Sequence, residues 1–421
     1  MVSKSSSRVL RILIMVNIGY EAGGAEKSVR LTRDALRARG HDVLVVSTDF
    51  KLGDRKPFAD VIVPRRPEGA VASLLSRFWK QDVYRTLKAT INDFSPDVIH
   101  LHTIGEFGPA ALWATGKVPT VLTVHGPEPY TRRLLLWMLP GIYYRSSSYR
   151  LRDLKPIGVV YYLFLLFLQR PIYRRGFRYV DMIVTPSTYL ARAVDADAGR
   201  IPVTQVYNGM VFPPAPPFRR TRNVLFVGRL EAVKGVDILL RAVALACEQV
   251  RGLSVTITGD GEDRSRLERM SSDLGLDGIV QFSGWLTPEQ VAACYAEAEI
   301  VAIPSIWPET LPSAGIEALA AGRPAVASDV GGIPEIVVDG VTGRLVRRRD
   351  ARLLADALVD ILTSAETAEQ MSLSARLSVV KFDMETFGNR IESIYQMLVQ
   401  KAGIRDGESF AIARASVNRN D

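Results

Sequence analysis

The strongest constraint on this chain is a repeated alternation. Short, uninterrupted apolar runs recur between segments with helical spacing. Val9–Val16 is the first run, followed by a glycine loop at Gly19–Gly24. Glu26–Arg39 then places Val29, Leu31, Leu36 and Ala38 at helical intervals, and Gly40 supplies a helix stop. Val43–Ser47, Asp97–His102, Thr120–Val124 and Met182–Thr185 continue the series of runs. Strands that read as continuous apolar runs are buried on both faces, which is the condition inside a parallel sheet flanked by helices. The fold class is therefore α/β.

The same pattern restarts after the proline-rich stretch Pro213–Pro217, which reads as a linker. Strands are expected at Asn223–Val227, Val255–Thr258, Val280–Phe282, Ile300–Ile303 and Pro324–Ala327, with helices at Val236–Gln249, Arg264–Leu274, Pro288–Ala298 and Pro312–Ala321. A chain of 421 residues also exceeds one ordinary core. Two Rossmann-like βαβ domains are expected, over residues 1–212 and 218–380. A helix near 384–401 is expected to pack back on the first domain, and 403–421 is read as a flexible tail. Ligands of such sheets bind beyond the carboxyl ends of the strands, so the site belongs in the cleft between the domains.

Charge is informative by location. The formal net charge is +8. Arg132, Arg133, Arg145, Arg150, Arg152, Lys155, Arg170, Arg174, Arg175 and Arg178 face a single acid, Asp153, so this one segment carries +9 and the rest is nearly neutral. A nucleic-acid binder would spread its charge more widely. A basic patch rich in Leu, Tyr and Trp points instead to an anionic membrane surface or an anionic acceptor. Within it, Ile157–Leu168 is twelve uncharged, mostly apolar residues. A spanning helix needs about 20 residues, so this run is not expected to span. A core helix and a helix lying at the bilayer surface both remain open. The flanking cations, with Leu134–Leu139 after Arg132 and Arg133, favour the surface. Interrupted by Arg11, Val9–Val16 does not read as a leader. Cys247 and Cys294 read as two buried free thiols in a reducing compartment.

Three loops carry the candidate chemistry. Gly228-Arg229-Leu230-Glu231-Ala232-Val233-Lys234-Gly235 brings two cations to a strand end and a helix start, as a diphosphate site would. Two solvated surface charges explain it equally well. Gly259-Asp260-Gly261 permits close backbone approach to a ligand, or is a simple tight turn. In Glu309-Thr310-Leu311-Pro312-Ser313-Ala314-Gly315-Ile316-Glu317 the first Glu precedes a helix and the second lies about one and a half turns inside it. Free N–H groups near Thr310, Leu311 and Ser313 offer donors, and the carboxylates accept from sugar hydroxyls. An ordinary acidic helix start is the competing reading. Among the histidines, His41 reads as a turn residue and the pair His100/His102 as packing, since no third metal ligand stands at a recognisable spacing. His125, at a strand end before Gly126, is the functional candidate. Asp195-Ala196-Asp197 reads as a solvated loop, not a metal motif.

Taken in order, these motifs resemble the donor-binding domain of the retaining GT-B-fold glycosyltransferases of family 4, from Val224 to Val346. The likeness includes Val326-Ala327-Ser328-Asp329-Val330-Gly331-Gly332-Ile333-Pro334-Glu335. In the first half it includes Gly23-Gly24-Ala25-Glu26, Arg39-Gly40-His41-Asp42-Val43, Thr123-Val124-His125-Gly126 and Asn208-Gly209. The resemblance implies two Rossmann-like domains facing a cleft. It implies that Arg229 and Lys234 grip the donor's diphosphate and that Glu317 accepts from the ribose. Glu309 would sit by the sugar with Thr310, Leu311, Pro312 and Ser313 around it, the N–H groups of Thr310, Leu311 and Ser313 binding its hydroxyls. His125 would lie near the reacting centre, Gly23 and Gly24 would let the first loop approach the phosphates or the acceptor, Gly259 would belong to the donor site, and the backbone at Trp285 and Leu286 would border the base. Sugar retention is implied in the same way.

A nucleoside diphosphate leaves readily, so no glycosidase-like acid is required, and no covalent nucleophile stands out. Neither a metal nor an organic cofactor is expected. The implied activity is sugar transfer from a UDP-, GDP- or ADP-linked donor to a glycan or lipid-linked acceptor. It would serve bacterial envelope or exopolysaccharide synthesis, on the cytoplasmic face of the membrane. A nucleotide-sugar 2-epimerase of the same architecture and a catalytically silent donor-binding subunit are the alternatives.

Overall fold

A computed structural model describes residues 8–21, 23–64, 78–128, 130–132, 135 and 156–417, with side chains to residue 403. Arg133, Arg145, Arg150, Arg152, Asp153 and Lys155 lie outside the described residues, as does the run 134–139 apart from Leu135.

The first lobe is built on a seven-stranded sheet of order β3-β2-β1-β4-β5-β6-β7. Its strands are β1 (Arg11–Ile18), β2 (Asp42–Thr48), β3 (Val61–Val63), β4 (Val98–Leu101), β5 (Thr120–Thr123), β6 (Met182–Thr185) and β7 (Val203–Gln205). The second lobe has six strands in the order β10-β9-β8-β11-β12-β13. These are β8 (Asn223–Val227), β9 (Ser254–Thr258), β10 (Val280–Gly284), β11 (Ile300–Ile303), β12 (Ala325–Ser328) and β13 (Gly343–Val346). Each pairing between these strands is parallel. Every residue of β4, β5, β11 and β12 is buried, which is why these strands read as uninterrupted apolar runs. Two such sheets, each covered by helices, make the GT-B arrangement that the motifs implied.

The first-lobe helices include α1 (Gly24–Ala38), α2 (Gln81–Phe94) and α3 (Ala110–Thr115). A continuous helical stretch follows: α4 (Pro156–Phe164), a π-helical turn (Leu165–Gln169), α5 (Arg170–Gly176) and a 3₁₀ turn (Phe177–Tyr179). Then comes α6 (Thr188–Ala198). The second lobe holds α7 (Val236–Ala246), α8 (Arg264–Asp273), α9 (Pro288–Glu297), α10 (Ser313–Ala320), α11 (Ala351–Thr363) and α12 (Ala365–Ser378). Finally α13 (Met384–Val417) returns to the first lobe. Its Phe387, Ile391, Tyr395 and Leu398 pack with Leu10, Ile12, Ile14 and Val16 of the first sheet. Arg39 clasps it through Asn389 at 2.7 Å and Glu392 at 3.0 Å.

Four local expectations need correction. The run Ile157–Leu168 belongs to a helical stretch of 24 residues, Pro156–Tyr179, long and apolar enough to cross a membrane by length and composition. Gln169 and Arg170 made it look shorter, but Gln169 is buried and Arg170 pairs with Asp197 at 2.7 Å. Asp195–Asp197 is therefore helical, within α6, and Asp197 is buried rather than solvated. His41 is no mere turn residue: it is buried and its Nδ1 accepts from the Leu10 N–H at 3.1 Å. Cys247 and Cys294 are free, as expected, but only half-buried.

Candidate functional site

The second lobe presents its candidate residues on loops at the carboxyl ends of parallel strands. β8 ends at Val227 and delivers Arg229, whose Nη1 donates to Glu231 Oε1 at 2.5 Å. A 3₁₀ turn over Ala232–Lys234 follows and closes at Gly235 with φ +70°. A Cβ at Gly235 would stand 2.0 Å from the Pro304 carbonyl oxygen, so only glycine lets this turn press against the loop after β11. That contact brings the two loops together chemically. Lys234 Nζ donates to Glu309 Oε1 at 2.7 Å, and the same oxygen accepts from Ser305 Oγ at 2.9 Å.

Pro312 caps α10 without any side-chain acceptor. The N–H groups of Thr310, Leu311 and Ser313 make no hydrogen bond among the described residues, which leaves donors pointing from a helix start. Glu317, inside α10, accepts from Tyr295 Oη at 3.2 Å. Its other oxygen lies 3.5 Å from Lys27 Nζ, which comes from α1 of the first lobe. Arg229, Lys234, Glu309 and Glu317 thus all sit in short-range charge networks, on elements that face the cleft.

Gly259 has φ +123°, and a Cβ there would stand 1.9 Å from the Gly228 carbonyl oxygen. This glycine is required by the protein's own backbone: the 259–261 loop packs directly under the 228–230 loop. Its N–H donates to the Gly284 carbonyl at 2.8 Å, which links it to the loop carrying Trp285 and Leu286. Trp285 is 80% exposed, unusual for an indole, while Leu286 is half-buried.

The first lobe offers a different chemistry. His125 Nε2 is 2.8 Å from His102 Nδ1. Behind it, His100 lies 2.5 Å from Tyr395 Oη and 2.6 Å from Thr123 Oγ1. Burial lowers the pKa of His125 to about 4. His100 falls to about 3, by burial and then by the charge of His125, and His102 is also pushed well down by burial. All three rings are neutral at pH 7, so His125 can hydrogen-bond without bringing charge. Glu128, three residues further on, is buried and its carboxyl is pushed up to about 8 by burial. The nearby hydroxyls of Tyr130 and Tyr173 are buried without a partner among the described residues. Among those residues, no group of three or more His, Cys, Asp or Glu is placed to hold a metal.

Gly23 is extended and begins α1, and a Cβ at Gly24 would meet nothing within 4 Å. Glu26 folds back on this helix start. Burial raises its pKa, and hydrogen bonds from the N–H groups of Glu26 and Gly23 oppose that. The lobes meet at Glu335, the last residue of the Val326–Glu335 motif. Its carboxylate accepts from the N–H groups of Thr188 at 2.8 Å and Tyr189 at 2.7 Å, so it caps α6 of the other lobe. Upstream in the same motif, Gly332 N–H donates to the Glu309 carbonyl at 2.7 Å. One short segment therefore touches both the Glu309 loop and the first lobe. Lys27, Tyr295, Ser305, Glu128 and the capping role of Glu335 were not legible beforehand. Only the motif Val326–Glu335 gave a signal, and it gave no partner.

Comparison with known proteins bears on the fold that carries these features. Residues 22–211 match the family described as Glycosyltransferase Family 4, and residues 214–378 match Glycosyl transferases group 1. A D-inositol 3-phosphate glycosyltransferase of Corynebacterium diphtheriae is 35% identical over 181 residues, 42% of this chain and 42% of that protein. The chain thus matches about two fifths of that relative's length. A phosphatidyl-myo-inositol mannosyltransferase of Mycobacterium leprae is 26% identical over 89% of this chain and 93% of that one. Among solved structures, sucrose-phosphate synthase of Thermosynechococcus elongatus superposes with a TM-score of 0.69 at 20% identity, covering 93% of this chain and all of that one. Anabaena HepE in complex with UDP gives 0.65 at 19% identity, covering 91% and 99%. At such identities these structures speak to the fold. Matched by one family model in its first half and by the other in its second, the chain has the GT-B fold and is related to the families described as Glycosyltransferase Family 4 and Glycosyl transferases group 1.

Proposed function

We propose that this chain is a retaining, metal-independent transferase. It moves a sugar from a UDP-, GDP- or ADP-linked donor to a hydroxyl of a glycan or lipid-linked acceptor. The observation that carries this reading is the 2.7 Å contact between Lys234 and Glu309, across two strand-end loops, with Arg229 and Glu317 on neighbouring elements. In that reading Arg229 and Lys234 hold the diphosphate and stabilise the charge that grows on it as the sugar leaves. Glu317 accepts from the ribose. Glu309 and the free N–H groups at Thr310, Leu311 and Ser313 orient the sugar's hydroxyls, and Trp285 and Leu286 border the base. His125, neutral, sits near the reacting carbon and contributes a hydrogen bond. The acceptor belongs to the first domain, residues 1–212, and the donor to the second, 218–380.

The acceptor reading adds a membrane. Ile157, Val160, Leu163, Phe167 and Leu168 are exposed on one helical stretch. Its second half is fastened to the lobe by the Arg170–Asp197 pair and by buried Tyr173 and Phe177. A helix held this way lies along a bilayer, with its apolar side chains inserted and Arg174, Arg175 and Arg178 near anionic headgroups. The named relatives include proteins for inositol phosphate and phosphatidyl-inositol, which supports a phosphate-bearing, membrane-delivered polyol. Envelope or exopolysaccharide assembly on the inner face of a bacterial membrane is the process this serves.

Thermal stabilisation by a panel of nucleotide-sugars tests the reading. A ligand at a hundredfold excess over its Kd stabilises the fold by about 2.7 kcal/mol. One base is expected to give such a shift, and Lys234→Met to remove it. No shift with any member of the panel would refute the proposal.

A further inference from the structure

Lys27 is a first-lobe cation that reaches the second-lobe site. It stands in the first turn of α1, after Gly23 and Gly24, and its Nζ lies 3.5 Å from Glu317 Oε1. No motif singled it out, and the reading above gives it no role.

Two features separate this pair from the other ion pair of the site. The Lys27–Glu317 contact is longer than the 2.7 Å between Lys234 and Glu309, and more exposed, at 45% and 26% against 22% and 13%. An exposed pair at that distance contributes little, on the order of 0–1 kcal/mol, so it is readily exchanged for another partner. The second feature is the start of α1 itself. The Glu26 carboxyl folds back toward it, Oε2 lying 3.4 Å from where a Cβ on Gly23 would stand. The side-chain cation that this part of the lobe brings to Glu317 is the Lys27 ammonium. That ammonium rides on a flexible four-carbon stem.

Resting on the donor reading given above, we propose that Lys27 is a further donor-binding residue. It pairs with Glu317 until the ribose takes that carboxylate, and then moves to the donor's diphosphate. The exchange leaves both groups with hydrogen-bond partners. Glu317 trades an ammonium for two neutral hydroxyl donors, and Lys27 trades a carboxylate for the more highly charged phosphates. It also ties donor binding to the approach of the lobes, because Lys27 and Lys234 come from opposite sides of the cleft.

The test compares a nucleoside with its diphosphate on the full chain. Titration of UDP, GDP and ADP into the parent identifies the base, and the matching nucleoside is then titrated as well. Lys27→Met is expected to weaken the diphosphate about tenfold or more, the worth of one charge-assisted hydrogen bond. The same variant should leave the nucleoside unchanged or bind it slightly tighter, because Glu317 loses a competitor. Lys27→Arg should recover most of the diphosphate affinity. Equal losses for nucleoside and diphosphate would show a merely structural contact and overturn the proposal. So would unchanged diphosphate affinity in Lys27→Met alongside a large loss in Lys234→Met, and in that case the donor reading would stand without Lys27. If the parent binds no nucleoside diphosphate, the donor reading falls and this proposal falls with it.

Discussion

The two sides of the cleft solve the same problem with different materials. On the second lobe, Arg229, Lys234, Glu309 and Glu317 are partly exposed and paired with one another or with close neighbours. On the first lobe, His100, His102, His125 and Glu128 are titratable groups that burial holds neutral at pH 7. The contrast follows the ligands proposed for each side. A diphosphate needs fixed charge that is already in place, because preorganised cations gain most as charge develops. A hydroxyl acceptor next to a cationic sugar needs neutral hydrogen-bonding groups, since extra positive charge there would oppose the reaction.

Removing fixed charge should break the second side outright. Lys234→Met is expected to lower turnover of the donor by about 10²–10³, the usual cost of losing one preorganised charge-stabilising group. Steady-state kinetics at saturating acceptor measures it, and a loss under tenfold would contradict the role given to this residue.

The first side should break with acid. His100 and His125 have folded pKa values below the ordinary 6.5, so their contribution to stability is present above 6.5 and is lost as pH falls toward 4 and 3. Urea midpoints between pH 7.5 and 4 should carry this acid-side loss, set against an opposite term from Glu128, whose raised pKa favours the fold as pH falls below about 8. The variant His100→Asn should flatten the dependence. An acid profile unaltered by that change would show that the cluster does not set it.

Two smaller effects sharpen the division. Phe167→Ser should reduce binding to phosphatidylglycerol vesicles by about ten- to a hundredfold, from the loss of roughly 1.5–3 kcal/mol of apolar burial, and should leave nucleotide affinity alone. Glu335→Gln weakens the cap it places on α6 from the other lobe. A few-fold rise in KM for the donor is expected, because the same segment holds the Glu309 loop through Gly332. If that rise is absent, the lobe contact and the sugar loop are not coupled.

Much of this was readable in advance. Strands β4, β5, β11 and β12 were found because central parallel strands cannot hide polar residues in an apolar run. Arg229, Lys234, Glu309 and Glu317 stand out as candidates in the sequence because strand-end loops are short and keep their spacing. Asp197 was misread because its partner, Arg170, is 27 residues away, and a carboxylate looks solvated until its cation is placed. Lys27 was missed for the same reason at greater range, since 290 residues separate it from Glu317. Glu128 could not be recognised as a neutral acid, because its pKa is raised by burial and burial is a property of the fold.

The central claim is that the donor is held by fixed charges, those of the second lobe with Lys27 reaching across to them, and that the first lobe's neutral histidines and Glu128 serve the reaction instead. Calorimetric titration of the preferred nucleoside diphosphate into Glu317→Ala and His125→Gln tests it most directly. The account predicts a loss of affinity of tenfold or more in Glu317→Ala and near-parental affinity in His125→Gln. Comparable losses in both variants, or the opposite order, would contradict it.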